Sequence, residues 1–392
     1  MKATYKKLYT LTIDLNGGVS TQNLTHYMLE GTTLNLETPT KNGYNFTGYS
    51  GVSGMTFTMG SSDVTIRATW SAKTYTITYN CNGGSGATTS STHIYGTAKN
   101  LSNNGCYKII EGTGNGTNSS SMVYNFIGWS TSSSATMATY TDSQSVTNLN
   151  NGDNITLYAV WDKLFTYNNT YTVLNDGGGN WRIKFLSSGT LTMNYSYIID
   201  AFLVGGGGGG GGPITDVRWG GGGGGYTTTK KSVAVSNKSY TITIGAGGGR
   251  GSWTNGGDGE PTSAFNITAK GGSGGYCSDS QSGGNGGSGG GGYKSTGGSN
   301  GGDGGGIDGG KGQGTTTREF GESNGTLYSG GGGGGSGGSG NVYSGGSGGG
   351  SNTGIDAADN TGGGGGAARY GNDYGNKGGD GGSGIVVIRN HR

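Results

Sequence analysis

Ile198-Ile199-Asp200-Ala201-Phe202-Leu203-Val204 runs straight into eight glycines, Gly205–Gly212, then breaks at Pro213–Trp219 and resumes as Gly220–Gly225 before Tyr226. The apolar opening reads as a buried strand. Glycine has no side chain to bury and gives up the most backbone freedom on folding, at a cost of about 1–2 kcal/mol per residue. A flexible linker is therefore the ordinary state of such a run.

Two features argue for order instead. The glycine runs alternate with strand-like segments, namely Ser239–Gly245, Ala264–Ala269 and the closing Gly384-Ile385-Val386-Val387-Ile388-Arg389. Many runs also read as Gly-Gly-X triplets, as in Gly283–Gly291 and Gly378–Gly384. A polyproline-II-type helix has three residues per turn and no internal hydrogen bonds. Gly-Gly-X then places every X on one edge and bare backbone on the other two, where neighbouring helices can exchange N–H and C=O bonds. Each such bond nets only about 1 kcal/mol, so a bundle persists where a lone helix fails. With three prolines in the chain, collagen is excluded.

The 392 residues include 96 glycines, of which 18 precede residue 171, so the bias belongs to one region and marks a boundary. We read residues 1–71 and 72–162 as two modules and 163–392 as a glycine-rich domain. A net charge of +2 with 12% charged residues gives no footprint for nucleic acid. No run of 18 apolar residues is present for a membrane-inserted helix. Met1–Leu8 lacks the apolar core of an export signal; a surface-type composition without one fits a virion protein released by lysis, or a protein whose signal has been removed. Cys81, Cys106 and Cys277 have no metal-type spacing. A Cys81–Cys106 bridge inside one module is one reading; isolated thiols are the favoured one.

The first half repeats itself. Tyr9–Gly18 (YTLTIDLNGG) returns as Tyr75–Gly84 (YTITYNCNGG), each alternating at period two and ending in the Asn-Gly hairpin signature. Tyr44–Ser50 (YNFTGYS) returns as Tyr124–Ser130 (YNFIGWS), and Asp63–Trp70 (DVTIRATW) as Asn154–Trp161 (NITLYAVW). Three blocks in one order make an internal repeat. The second copy is longer, and its surplus is placed in a surface loop at Gly105–Ser121. Phe46, Trp70, Phe126, Trp129 and Trp161 fall at core phase.

These blocks resemble the Listeria–Bacteroides repeat, the B-repeat of internalin-type surface proteins, over residues 9–161. The family pattern is a Tyr-x-hydrophobic-x-hydrophobic strand ending in Asn-Gly-Gly, a Gly-Tyr-x-Phe-x-Gly-Trp core and a Val-Thr-Leu-x-Ala-x-Trp finish. Departures are Tyr49 where the family has Trp, the Gly-Tyr pair that is not intact before Asn125, and the insertion. The resemblance implies a β-grasp-like fold and a stalk or docking role. From Tyr171, two or three strands lead into the Ile198 strand. That segment, the Val-Gly-Gly-Gly-Gly run, Tyr240–Gly248 and the last strand resemble the glycine-rich domains of phage tail and fibre proteins, including the distal adhesins of T-even-like long tail fibres. This implies a rigid tip of glycine helices whose loops contact a host surface.

Catalytic chemistry is not indicated. His26, His93 and His391 lack partners at a recognisable spacing. Glu111–Thr117 has no Gly-Lys-Ser/Thr ending, and Gly301–Asp308 keeps no nine-residue calcium register. No cofactor and no metal is expected. The candidate receptor contacts are aromatic residues set among glycines: Tyr276, Tyr293, Phe320, Tyr328, Tyr343, Tyr370 and Tyr374. Each either packs on the strand frame or offers a stiff amphipathic ring to a ligand; Trp219 and Trp253 are read as packing. The expected protein is mainly β: two β-grasp-like modules, then a strand-framed domain of packed polyglycine-II-type helices. It is read as a non-enzymatic phage adhesin at the virion surface. Its expected partners are a bacterial surface glycan or protein receptor and other virion proteins, with no nucleic acid and no membrane insertion. The alternative is a structural spacer or decoration protein of a virion or bacterial cell surface; an ice-binding face is disfavoured by irregular X residues.

Overall fold

The computed structural model describes residues 5–213, 219–277, 282–292, 310–313, 317–335, 342–369 and 377–392. Among these the chain is mainly β, with two short 3-10 turns and no α-helix. It divides into two compact units, Met1–Tyr107 with Phe126–Asp162, and Lys108–Asn125 with Lys163–Arg392.

The first unit holds the repeats. In the first copy, β1 (Leu8–Asp14), β2 (Thr25–Leu29), β3 (Thr33–Asn35), β4 (Tyr44–Tyr49), β5 (Thr56–Thr58) and β6 (Val64–Ala72) form a sheet of order β2-β1-β6-β4 and a separate β3–β5 pair. In the second, β7 (Thr74–Asn80), β8 (Ser85–Gly86), β9 (Ser91–Ile94), β10 (Lys99–Asn100), β11 (Cys106–Ile110), β12 (Gly112–Asn115), β13 (Met122–Ser130), β14 (Ser145–Val146) and β15 (Ile155–Lys163) follow. Here β15 pairs parallel with β7, as β6 does with β1.

The copies match in detail. Asn16 and Asn82 both take a φ of 49°, the left-handed region that the turn after an Asx residue requires. Their amides are held by Asp14 and Asn80, each at 2.8 Å. Phe46 meets Trp70 edge-on at 5.5 Å, and Phe126 meets Trp161 at 5.7 Å. Each indole N–H donates to the carbonyl of the first strand's end, Leu15 or Cys81. The five aromatic residues expected at core phase pack in two clusters, one per copy, with Trp129 wholly buried.

Cys81 and Cys106 form a disulfide. This corrects the preference for isolated thiols: the end of β7 and the start of β11 bring the Cα atoms to 5.5 Å, within bridging range. The Gly105–Ser121 segment, expected as a surface loop, contains β12. That strand belongs to the second unit and pairs antiparallel with β17 (Thr170–Gly177), Gly112 opposite Val173.

The second unit is built on β16 (Phe165–Tyr167), β17, β18 (Asn180–Phe185), β19 (Gly189–Met193), β20 (Tyr197–Val204), β21 (Thr227–Val235), β22 (Ser239–Ile242), β23 (Thr262–Ala264), β24 (Ile267–Ala269) and β25 (Ile385–Asn390). Six strands run in the order β12-β17-β18-β25-β20-β21, and β16-β19-β22 form a second sheet. The final strand lies between β18 and β20, with Val204 opposite Ile385. The whole glycine-rich segment is thus inserted between two neighbouring strands.

Alternation explains the apolar run at its start. Ile199, Ala201 and Leu203 face the core that includes Trp181, Phe185, Leu191, Val386 and Ile388. Phe202 and Val204 face the other way, onto Phe320, Tyr328 and Val387. A strand buried on both faces reads as continuous apolar sequence. The Ala264–Ala269 segment, expected as one strand, is a hairpin whose turn residues Phe265 and Asn266 have φ of 53° and 60°.

Candidate functional site

Gly205–Gly212 leave β20 as an extended, fully buried segment outside any sheet. Their amides take partners in three directions. Gly205, Gly208 and Gly211 donate to Tyr226, Gly223 and Gly220; Gly206, Gly209 and Gly212 to Glu260, Gly257 and Thr254; Gly207 and Gly210 to Gly382 and Gly379. The carbonyls show the same period. Gly206 and Gly209 accept from Gly272 and Gly275, Gly207 and Gly210 from Gly248 and Gly251, Gly208 and Gly211 from Gly365 and Ala368. One rod is therefore bonded to six neighbouring segments, with N···O distances of 2.8–3.0 Å.

Both polar groups of each buried peptide must be satisfied, since an unmet one costs about 1–3 kcal/mol. The lattice does this with bonds between segments, outside any strand ladder. Its spacing also dictates the residue type. A Cβ on Gly207 or Gly210 would collide with the carbonyl oxygen of Gly363 or Gly366. At Gly249, which faces outward, an added Cβ meets nothing within 4 Å.

The lattice has two ends. At the sheet end, Glu319 is buried against the back of β18. It accepts from Arg182 at 2.7 Å and Tyr328 at 3.1 Å, with Lys184 at 3.3 Å. Burial and the neighbouring Glu319 push the Tyr328 hydroxyl far above its ordinary range, so it remains a donor. Asp200, on β20, lies beside Arg389 at 3.2 Å and His391 at 2.7 Å. Burial would raise its carboxyl, but hydrogen bonds from His391, the Ser232 amide and Arg389 outweigh that and hold it below the ordinary value. A cleft of 280 Å³ opens here, lined by Arg182, Glu319, Glu322, Arg389 and Arg392. Its charged groups satisfy one another, so it is a structural clasp rather than a place for a ligand.

At the far end the described ends of several rods meet: Gly212 donates to Thr254, Gly220 to Tyr276 and Gly335 to Trp219. Trp219, Cys277, Ala367 and Ala368 make a small buried cluster beneath them. Arg250 clamps the side, bonded to Asp356 at 2.9 Å and to both oxygens of Asp380 at 2.9 and 2.6 Å. Trp253 stands out at 59% exposure and Tyr276 at 41%.

The glycine-rich domain family model matches residues 185–391, more than half of the chain. The chain belongs to the glycine-rich domain family. Residues 9–74 match the divergent InlB B-repeat domain, and residues 75–160 the Listeria-Bacteroides repeat domain. No curated protein matches the chain. Repeats and a glycine-rich domain of these kinds are those of surface or adhesin-like proteins and are typically non-catalytic.

Within the glycine-rich domain the expected contact residues separate. Tyr276 is exposed at the far end and Tyr343 is half-buried. Phe320 and Tyr328 are buried, 5% and 4% exposed, with centroids 5.9 and 5.4 Å from the Phe202 ring. Neither can offer its face to a receptor: the strand frame needed a cover, and these rings supply it. Tyr293, Tyr370 and Tyr374 lie outside the described residues. Trp219 packs as expected, whereas Trp253, expected to pack, is exposed because its turn projects past the last lattice bonds. A Trp with a φ of 62° among Gly, Ser, Thr and Asn gives no local signal of where its ring goes.

Proposed function

We propose that the protein is a phage virion adhesin in which the glycine-rich domain holds receptor-binding turns on a rigid base. The glycine segments are read as packed polyglycine-II-type helices; a three-residue period in both donors and acceptors supports that reading. The repeats are read as β-grasp-like modules serving as attachment or spacer elements, a reading supported by their parallel first and last strands. The observation that carries the functional reading is the exposure of Trp253 and Tyr276 at the end of the lattice where the described ends of several rods meet. Large rings held on a hydrogen-bonded base lose little entropy on binding, which suits recognition of a bacterial surface glycan or protein. The Cys81–Cys106 bridge fits a protein that works outside a reducing compartment.

Purified protein added to a panel of bacterial strains should bind some of them. The double variant Trp253→Ala/Tyr276→Ala should lose that binding at an unchanged melting temperature. Binding that survives in the double variant, or none in any strain, would favour the spacer reading instead.

A further inference from the structure

A second opening of the glycine-rich domain lies between the link from β21 to β22, with the β22 strand itself, and the β23–β24 hairpin. It is a groove of 640 Å³, within the usual range of about 300–1,000 Å³ for small-ligand sites. Ala264 and Ile267 form part of its lining and belong to the main core. Tyr240 and Phe265 supply its aromatic surface, their centroids 5.2 Å apart and the planes at 54°. The Tyr240 hydroxyl receives the Ser236 amide at 2.8 Å, which fixes the ring. Among the described residues no carboxylate lines the groove, and Lys238, the one cation among them, sits 5.2 Å from the Tyr240 centroid.

Phe265 occupies a position the backbone would give to another residue. With Asn266 it forms a two-residue hairpin turn with φ positive at both sites, where Asn-Gly or Gly-Gly is the ordinary choice. A bulky residue there is an outlier, and its ring lines the groove. Asn266 adds a side-chain amide that makes no hydrogen bond among the described residues, and Thr241 adds a hydroxyl on the opposite wall.

From this we infer that the groove is a second binding site, for a short neutral oligosaccharide. Tilted aromatic faces suit the apolar faces of pyranose rings, and the free amide and hydroxyl suit their hydroxyl groups. The single lysine is too little charge for a polyphosphate or nucleic-acid backbone. The site is independent of the far turns.

Saturation-transfer NMR on the full chain, with chitotriose, maltotriose and a rhamnose trisaccharide as probes, tests this. Wild-type protein should transfer saturation to at least one. Phe265→Gly suits the positive φ and removes the benzyl side chain; the relieved backbone offsets part of the packing lost against the core, so the protein should stay folded while binding weakens about tenfold or more. Asn266→Gly, equally at ease at its φ, should weaken binding without unfolding the hairpin, and Trp253→Ala should leave it intact. Silence from all three sugars with wild-type protein, or wild-type binding by both glycine variants, would overturn the assignment.

Discussion

The repeats and the glycine lattice reach order by opposite routes. In the repeats, side chains do the packing: Phe46 against Trp70 and Phe126 against Trp161 recur at almost the same distance and angle. In the lattice, Gly205–Gly212 bury no side chain at all and bond to six neighbours through the backbone. A core of side chains tolerates replacement by residues of similar volume. A core of peptide groups tolerates nothing larger than hydrogen wherever two rods touch. The difference teaches that glycine richness here is a packing requirement rather than a sign of looseness.

The contrast can be broken most forcefully from the repeat side. Trp129 is wholly buried in the second module, and Trp129→Ala should cost about 3–5 kcal/mol there. Amide exchange should show the loss in the repeats while the Gly205–Gly212 amides stay protected. Equal loss in both regions would mean that they unfold as one. On the lattice side, Gly210→Ala should cost up to about 3 kcal/mol, whereas Gly249→Ala should stay within about 0.5 kcal/mol. Chemical denaturation of the pair measures this, and equal costs would contradict the packing account.

Acid should separate the two regions more gently. His93 is buried in the second module, and burial, with Lys99 nearby, lowers its basicity below the ordinary 6.5. The folded module favours the neutral ring, so its stability should begin to fall as pH drops through 6.5. In the glycine-rich domain, Asp176, Asp200 and Asp380 sit below the ordinary carboxylate value of 3.8. Burial opposes this at all three and is the largest single influence at the first two, where hydrogen bonds together outweigh it; at Asp380 the Arg250 hydrogen bond is the largest cause. Their stabilisation is complete above about 3.8 and is lost only as pH falls below it. Acid titration followed by region-resolved NMR should show the repeats weakening first; the reverse order would contradict these assignments.

Much of this was legible because it rests on local pattern. The strand alternation, the Asn-Gly turns and the doubled aromatic blocks declare the repeats, and the glycine runs between strands point to backbone packing. What escaped depends on distant partners or on residues acting against their propensity. The Cys81–Cys106 bridge needs two strands that the spacing alone does not bring together. β12 escaped because Gly112-Thr113-Gly114-Asn115 is poor strand material and forms only against β17. The β23–β24 hairpin escaped because Phe265 and Asn266 hold a turn that usually asks for glycine. Tyr276 and Tyr328 look alike in sequence; only the fold separates an exposed ring from one sealed over Phe202.

The central claim is that the first glycine run is a bonded rod and not a linker. Native-state hydrogen exchange of the Gly205–Gly212 amides tests it most directly. The lattice predicts slow exchange, with protection approaching that of the neighbouring strand residues Phe202 and Val387. Exchange at the rate of an unstructured peptide would contradict it.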